Sequence, residues 1–203
     1  MLKSLMLGRE RVVGEVFKQL IDRSTDKSRY RVPRNPKSLA YSAGTAMSEP
    51  GGPIASVIKV DLFDTHANQG NDDGYHARQL KIVDDIYGAL KKGLGQEWSN
   101  TVVLTLTEFG RTVRENGSAG TDHGYGGAGL LAGGLLKGSR VVTQWPGLKS
   151  NDLFDGRDLN VTIDYRSVCA ACIEAAYGLD HKTIANEVFF DPALPRVYEY
   201  LFG

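Results

Sequence analysis

Cysteine is scarce in this chain: Cys169 and Cys172 are the whole supply. A framework stapled by several disulfides is therefore excluded. Their C-x-x-C spacing invites a redox reading, but that chemistry needs the pair at a strand-to-helix junction. Here Tyr165, Val168, Cys169, Cys172, Ile173, Ala176 and Tyr177 recur at helical spacing. The expected setting is the inner stripe of an amphipathic helix, with both thiols packed and reduced. An excess of one charge sign is also missing. Lys+Arg and Asp+Glu each number 24, so the net charge is zero. A general nucleic-acid or membrane-surface binder would show a basic surplus, so neither partner is expected. No apolar run approaches the roughly 20 residues that span a bilayer. Arg9 and Glu10 interrupt the short apolar start at 1–8, so no export signal is expected in the chain as written.

What is present is an ordinary soluble composition, 41% hydrophobic over 203 residues. That is enough for one domain or slightly more with a real core. A stripe of Val12, Val13, Val16, Phe17, Leu20 and Ile21 predicts a helix over 4–22. Residues 23–53, punctuated by Pro33, Pro36, Pro50 and Pro53, read as a long irregular connection. Residues 55–63 read as a strand, 64–70 as the loop at its end, and 74–94 as a helix. Residues 101–107 form a β-branched run with little polar alternation, the pattern of a central parallel strand covered on both faces. Strand, helix and strand together predict a βαβ unit. A glycine-rich stretch, 117–138, contains a short strand at Leu130–Ala132. A further strand is expected at 140–143, a turn at 145–148, and a last helix with Asp164 as N-cap and Gly178 just past its end. The expected organisation is an N-terminal helix and irregular segment, 1–54, followed by an α/β domain, 55–203.

The chemistry concentrates in two places. Asp122-His123 offers a carboxylate and an imidazole amid glycines, and Asp64-Thr65-His66 offers the same pair past an earlier apolar run. Those donors suit a metal ion. The plainer readings are a glycine-rich turn in which Asp122 caps backbone amides, and an Asx-turn that leaves His66 exposed. Glu108, at the end of the 101–107 run, could ligate, act as a base or orient a histidine. Arg111 and Arg114 could grip a phosphate or sulfate edge. Alternatively, Arg111 pairs with Glu108 or Asp122 in a structural bridge. His76 and His181 read as surface residues. Ser118 and Thr121 are nucleophiles by type only. No P-loop motif occurs, and no strand immediately precedes the Gly124–Gly129 run, so a dinucleotide site is not supported.

Six segments stand together: Phe63–Gly70, Thr107–Ser118, Gly120–Gly124, Trp145–Leu148, and Asp155–Leu159 with Thr162–Arg166. In this order they resemble a large bacterial family of uncharacterised, often twin-arginine-exported, sulfatase-like proteins of the alkaline phosphatase superfamily. The resemblance covers roughly residues 55–190. It implies an α/β three-layer sandwich around a mostly parallel sheet. It also implies metal-dependent hydrolysis of small phosphate or sulfate esters, with zinc first and manganese, magnesium or calcium as alternatives. Asp64, His66, Asp122 and His123 alone are carried over, as metal ligands; beside them Glu108 and Arg111 are expected to be catalytic, Arg111 steadying the anionic ester and Glu108 orienting a ligand or taking a proton. Members of that family are usually about twice this length, and their first half supplies a nucleophile and further ligands. The chain therefore resembles a C-terminal portion with an incomplete sandwich. Two rival expectations follow: a non-catalytic metal- or partner-binding module, and a chain that assembles with a copy of itself or with a separately encoded N-terminal half. Export is a habit of the family, so location is left open.

Overall fold

The structure, a computed structural model, describes residues 35–203. The helix expected over 4–22 lies outside the described residues. Two compact units divide the chain: 35–61 with 81–96, and 62–80 with 97–203.

In the first unit the expected irregular connection is a helix over part of its length. Helix α1 spans Pro36–Ser48. Asn35 starts it, its side-chain oxygen accepting from the Lys37 and Ser38 amides at 2.9 and 3.2 Å. Pro36 follows at the first helical position, where a missing N–H costs nothing. Helix α2, Tyr75–Leu94, matches the expected 74–94 helix within a residue. Within the first unit, α1 and the C-terminal half of α2 meet through glycine. A Cβ on Gly44 would stand 2.8 Å from the Leu90 carbonyl oxygen, and one on Gly93 2.4 Å from that of Tyr41. Ala40, Ile86, Ala89, Leu90 and Leu94 are buried in this unit.

The expected three-layer sandwich with a mostly parallel sheet is not what forms. Among the described residues there are two small antiparallel sheets of two strands each. Strand β1, Val103–Thr105, pairs with β4, Leu130–Ala132, in the register Val103↔Ala132, Leu104↔Leu131 and Thr105↔Leu130. Strand β2, Gly110–Arg111, pairs with β3, His123–Gly124. The 101–107 run is thus shorter than expected and antiparallel. Glycine explains its partner. A Cβ on Gly133 would fall 2.0 Å from the Thr101 carbonyl oxygen, and one on Gly134 2.4 Å from the Ser99 Cα. Only bare backbone approaches that closely, so the glycine-rich return lies along β1 as its antiparallel neighbour. The runs expected as strands at 55–63 and 140–143 carry no ladder among the described residues. Val57 and Val141 are 96% and 90% exposed. The chain turns out of the first run at Leu62, whose φ is 74°.

The second unit is built on helix α3, Tyr165–Tyr177. Asp164 caps its start and Gly178 ends it in the left-handed conformation, φ 67°, both as expected. One cluster joins Ala170 to Ile184, Ala185 and Leu194. Ile184 and Ala185 come from the π-turn Ile184–Val188 that continues a short helix α4, His181–Thr183, and Leu194 from the chain beyond it. Another joins Ala171 and Cys172 to Phe202 of helix α5, Tyr198–Phe202, with Leu104 and Leu131 packed against it. The buried positions of α3 are Ser167, Ala170, Ala171 and Cys172, so the inner stripe is rotated from the expected one. Cys172 is buried and Cys169 half-buried; both are free thiols. Burial pushes the Cys172 thiol up to about 12, which suits an inert packed sulfur rather than a redox pair. No described helix is long and apolar enough to cross a membrane.

Candidate metal centre

The site lies in the second unit, where two loops are sewn together by backbone. Thr121 N–H donates to the Thr65 carbonyl (3.1 Å), Gln69 N–H to Ala119 (2.8 Å) and Asn68 N–H to Ser118 (3.0 Å). This lays the 64–70 loop against the 116–121 loop. Gly120 is required at the crossing: a Cβ there would meet the His66 carbonyl carbon at 2.3 Å. The β2–β3 ladder then sets Arg111 opposite His123.

These constraints bring together Asp64, His66 and His123. His66 Nε2 and His123 Nε2 each stand 3.0 Å from Asp64 Oδ1. One ligand atom from each residue lies within 4.8 Å of the others, so the three form a group able to hold a metal ion. Donors around a tetrahedral zinc, at bond lengths of about 2.0–2.2 Å, stand about 3.3 Å apart. The observed separations need only a small outward shift. The two imidazoles are tilted at 40° with centroids 5.0 Å apart. Phe109 stacks on His123 at 3.9 Å and fixes its ring plane.

Asp122 does not join the three. Asp122, the residue just before β3, turns instead to the far nitrogen of His66, with Oδ1 3.0 Å from Nδ1. Asn116 Nδ2 donates to the same oxygen at 3.0 Å. Arg111 spends its fork within the protein, on the Asp64 carboxylate, the Thr121 carbonyl and Thr121 Oγ1. It pairs with Asp64, where the sequence suggested Glu108 or Asp122. The Thr121 hydroxyl in turn donates to Gln69 Oε1 at 2.7 Å. Glu108 and Arg114 are exposed, and their side chains bond no described residue. Arg157 donates to the His123 carbonyl and pairs with buried Asp158. His76 and His181 are not among the three and are half-buried rather than on the surface: the His76 amide donates to the Gln69 carbonyl at 2.9 Å, and His181 Nε2 is 2.8 Å from the Leu194 carbonyl oxygen.

Electrostatics favour ionised carboxylates. Desolvation alone would raise the Asp64 pKa, but hydrogen bonds from His123 and Arg111, with the His123 and His66 charges, outweigh it and hold the pKa below its usual value. Asp122 is also lowered, by its bond from His66 first and from Asn116 second. Phe109, Asn116 and Gln69 were not singled out from sequence. The signal for Asn116 was its place in a Glu-Asn-Gly-Ser turn; for Phe109 there was none beyond its neighbour Gly110.

Fold and donor set together define an α+β protein with a three-residue site able to bind a metal. Over residues 43–189 the chain matches the family described as Protein of unknown function (DUF1501), and it belongs to that family. No curated protein and no solved structure matches the chain.

Proposed function

We propose that Asp64, His66 and His123 hold a divalent metal ion, zinc before manganese, magnesium or calcium, and that the site hydrolyses small phosphate or sulfate esters. The single supporting observation is the convergence of two imidazole nitrogens on one carboxylate oxygen, from segments nearly sixty residues apart. Two histidines and one carboxylate suit zinc, and three protein ligands leave a position for water or ester. Such an ion supplies a Lewis acid and lowers the pKa of water. Arg111 holds the Asp64 carboxylate ionised and aimed. Glu108, exposed and bonded to no described residue, is available as a proton acceptor. The motif resemblance to sulfatase-like members of the alkaline phosphatase superfamily supports the ester class.

A second reading, a metal- or partner-binding module without turnover, is favoured by the way Arg111 and Thr121 are used. Guanidinium N–H groups on all three nitrogens are turned to Asp64 and Thr121, and the Thr121 hydroxyl donates to Gln69, so the protein itself takes up much of what would grip an anionic ester. This reading includes self-association, or assembly with a separately encoded N-terminal half, which would show as a complex on size-exclusion chromatography after co-expression. Metal content of purified protein, beside His123→Ala, tests the site. One bound ion in the parent and none in the variant is expected. A panel of aryl phosphates and sulfates with added Zn²⁺ or Mn²⁺ then separates the readings. Turnover lost in His123→Ala supports the hydrolase, and binding without turnover supports the module. A parent that takes up no metal ends both metal readings.

A further inference from the structure

We infer that Asn116 and Asp122 are positioning residues for His66, holding its ring so that Nε2, not Nδ1, faces the metal position. The inference rests on the metal reading above and assigns Asp122 a place behind the ligands instead of among them. Asp122 Oδ1 stands 3.0 Å from His66 Nδ1, on the side of the ring away from Asp64. An ionised carboxylate only accepts, so Asp122 gives a proton on Nδ1 a fixed partner, and Nε2, 3.0 Å from the Asp64 carboxylate, is the nitrogen left to give its lone pair to an ion. A histidine ligand whose second nitrogen donates to a carboxylate is fixed in both tautomer and orientation.

Asn116 is the less obvious half. Its Nδ2 donates to Asp122 Oδ1 and to the His66 carbonyl, each at 3.0 Å. Its Oδ1 accepts from the Ser118 and Gly120 amides at 2.9 and 3.1 Å. Two donors and two acceptors are thus all used, which is the full capacity of the amide. One side chain therefore ties the backbone of His66, the carboxylate that orients the His66 ring, and the loop that packs against His66. Asp122 immediately precedes β3 and His123 opens it, so one short segment delivers one group to each side of the site.

Asn116→Asp is the discriminating variant. It retains an oxygen for the Ser118 and Gly120 amides, so the loop caps survive, but it replaces the donor facing Asp122 with a second acceptor. Full-length Asn116→Asp and Asp122→Ala are expected to bind Zn²⁺ about 10–100-fold more weakly than the parent. The visible spectrum of the Co²⁺-loaded protein should keep its coordination number, and metal-free melting temperatures should stay close to the parent's. His123→Ala should abolish binding. If Asp122→Ala abolishes Zn²⁺ binding as His123→Ala does, or changes the Co²⁺ coordination number, Asp122 is a ligand and the inference fails. It fails equally if both variants bind as tightly as the parent. Long-range ¹H–¹⁵N correlation spectra of the Zn²⁺-loaded protein give an independent reading. The parent should show His66 protonated on Nδ1 and bound through Nε2. A parent that binds Zn²⁺ through His66 Nδ1 overturns the inference and leaves the metal reading standing. A parent that takes up no Zn²⁺ removes the metal reading, and the inference with it.

Discussion

The packing around α3 and the loops around β2–β3 belong to the same unit and are made of opposite materials. Around α3, Ala170, Ala171, Ile184, Ala185 and Phe202 are each at most 2% exposed, and apolar contact holds them. Around β2–β3, the side chains of Asp64, His66, Asp122 and His123 are each about half exposed, and hydrogen bonds hold them. Apolar burial is non-directional and tolerates small shifts, whereas the polar site depends on distances near 3 Å and on ring orientation. Stability should therefore be carried by the first region and metal affinity by the second, with little crossing between them.

The strongest test of that division is Ile184→Ala. Ile184 is fully buried between Ala170, Ala185 and Leu194, and removing its branched side chain leaves a cavity costing about 2–5 kcal/mol. Urea unfolding should show the loss, while the Co²⁺ spectrum of the folded fraction should match the parent's. An altered spectrum would show that the core shapes the site. His123→Ala is the mirror experiment. It should remove the bound ion while metal-free unfolding shifts by less than about 0.5 kcal/mol, as expected of an exposed substitution. Gly120→Ala crosses the division. The new methyl would meet the His66 backbone at 2.3 Å, so both stability, by about 1–3 kcal/mol, and Zn²⁺ affinity should fall. Loss of one without the other would mean that the loops move independently of the ligand.

The same division explains what could be read in the sequence. Helices α2 and α3 were legible because the apolar period and the end signals agree, down to Asp164 and Gly178 at the two ends of α3. Helix α1 was hidden by its prolines, although Asn35-Pro36 is itself a start signal. The strands failed for another reason. A β-branched run such as 101–107 announces burial but not its partner, and here glycines at 129, 133 and 134 choose an antiparallel return. Motif resemblance carried the sandwich, and the strand pairing replaces it. In the site, residue types were legible and the wiring was not. Asp64, His66 and His123 do meet, but Asp122 faces the other nitrogen of His66 and Arg111 holds Asp64, because the crossing of distant loops decides which neighbours touch.

The smallest expected effect lies at the start of α3, where a polar group serves the apolar region. Asp164 accepts from the Arg166 amide at 2.8 Å and pairs with the Arg166 guanidinium. That side-chain bond is the main cause of its lowered pKa; desolvation opposes it, and the bond to the Arg166 amide adds to the lowering. Asp164→Ala removes the N-cap and should cost about 1 kcal/mol, a fall of about 2–4 °C in Tm for a chain of this size. The sign of the pH dependence follows from the direction of the shift. A carboxylate whose folded pKa lies below its unfolded value of about 3.9 stabilises fully above that value and loses its contribution as pH falls through the folded pKa. The gap between parent and variant should therefore be constant from neutral pH to about pH 5 and close progressively below about pH 4. Thermal melts at several pH values measure it directly. A gap that persists unchanged into strong acid would show that the cap works as a neutral acceptor, and that charge at this helix end adds nothing to the core it anchors.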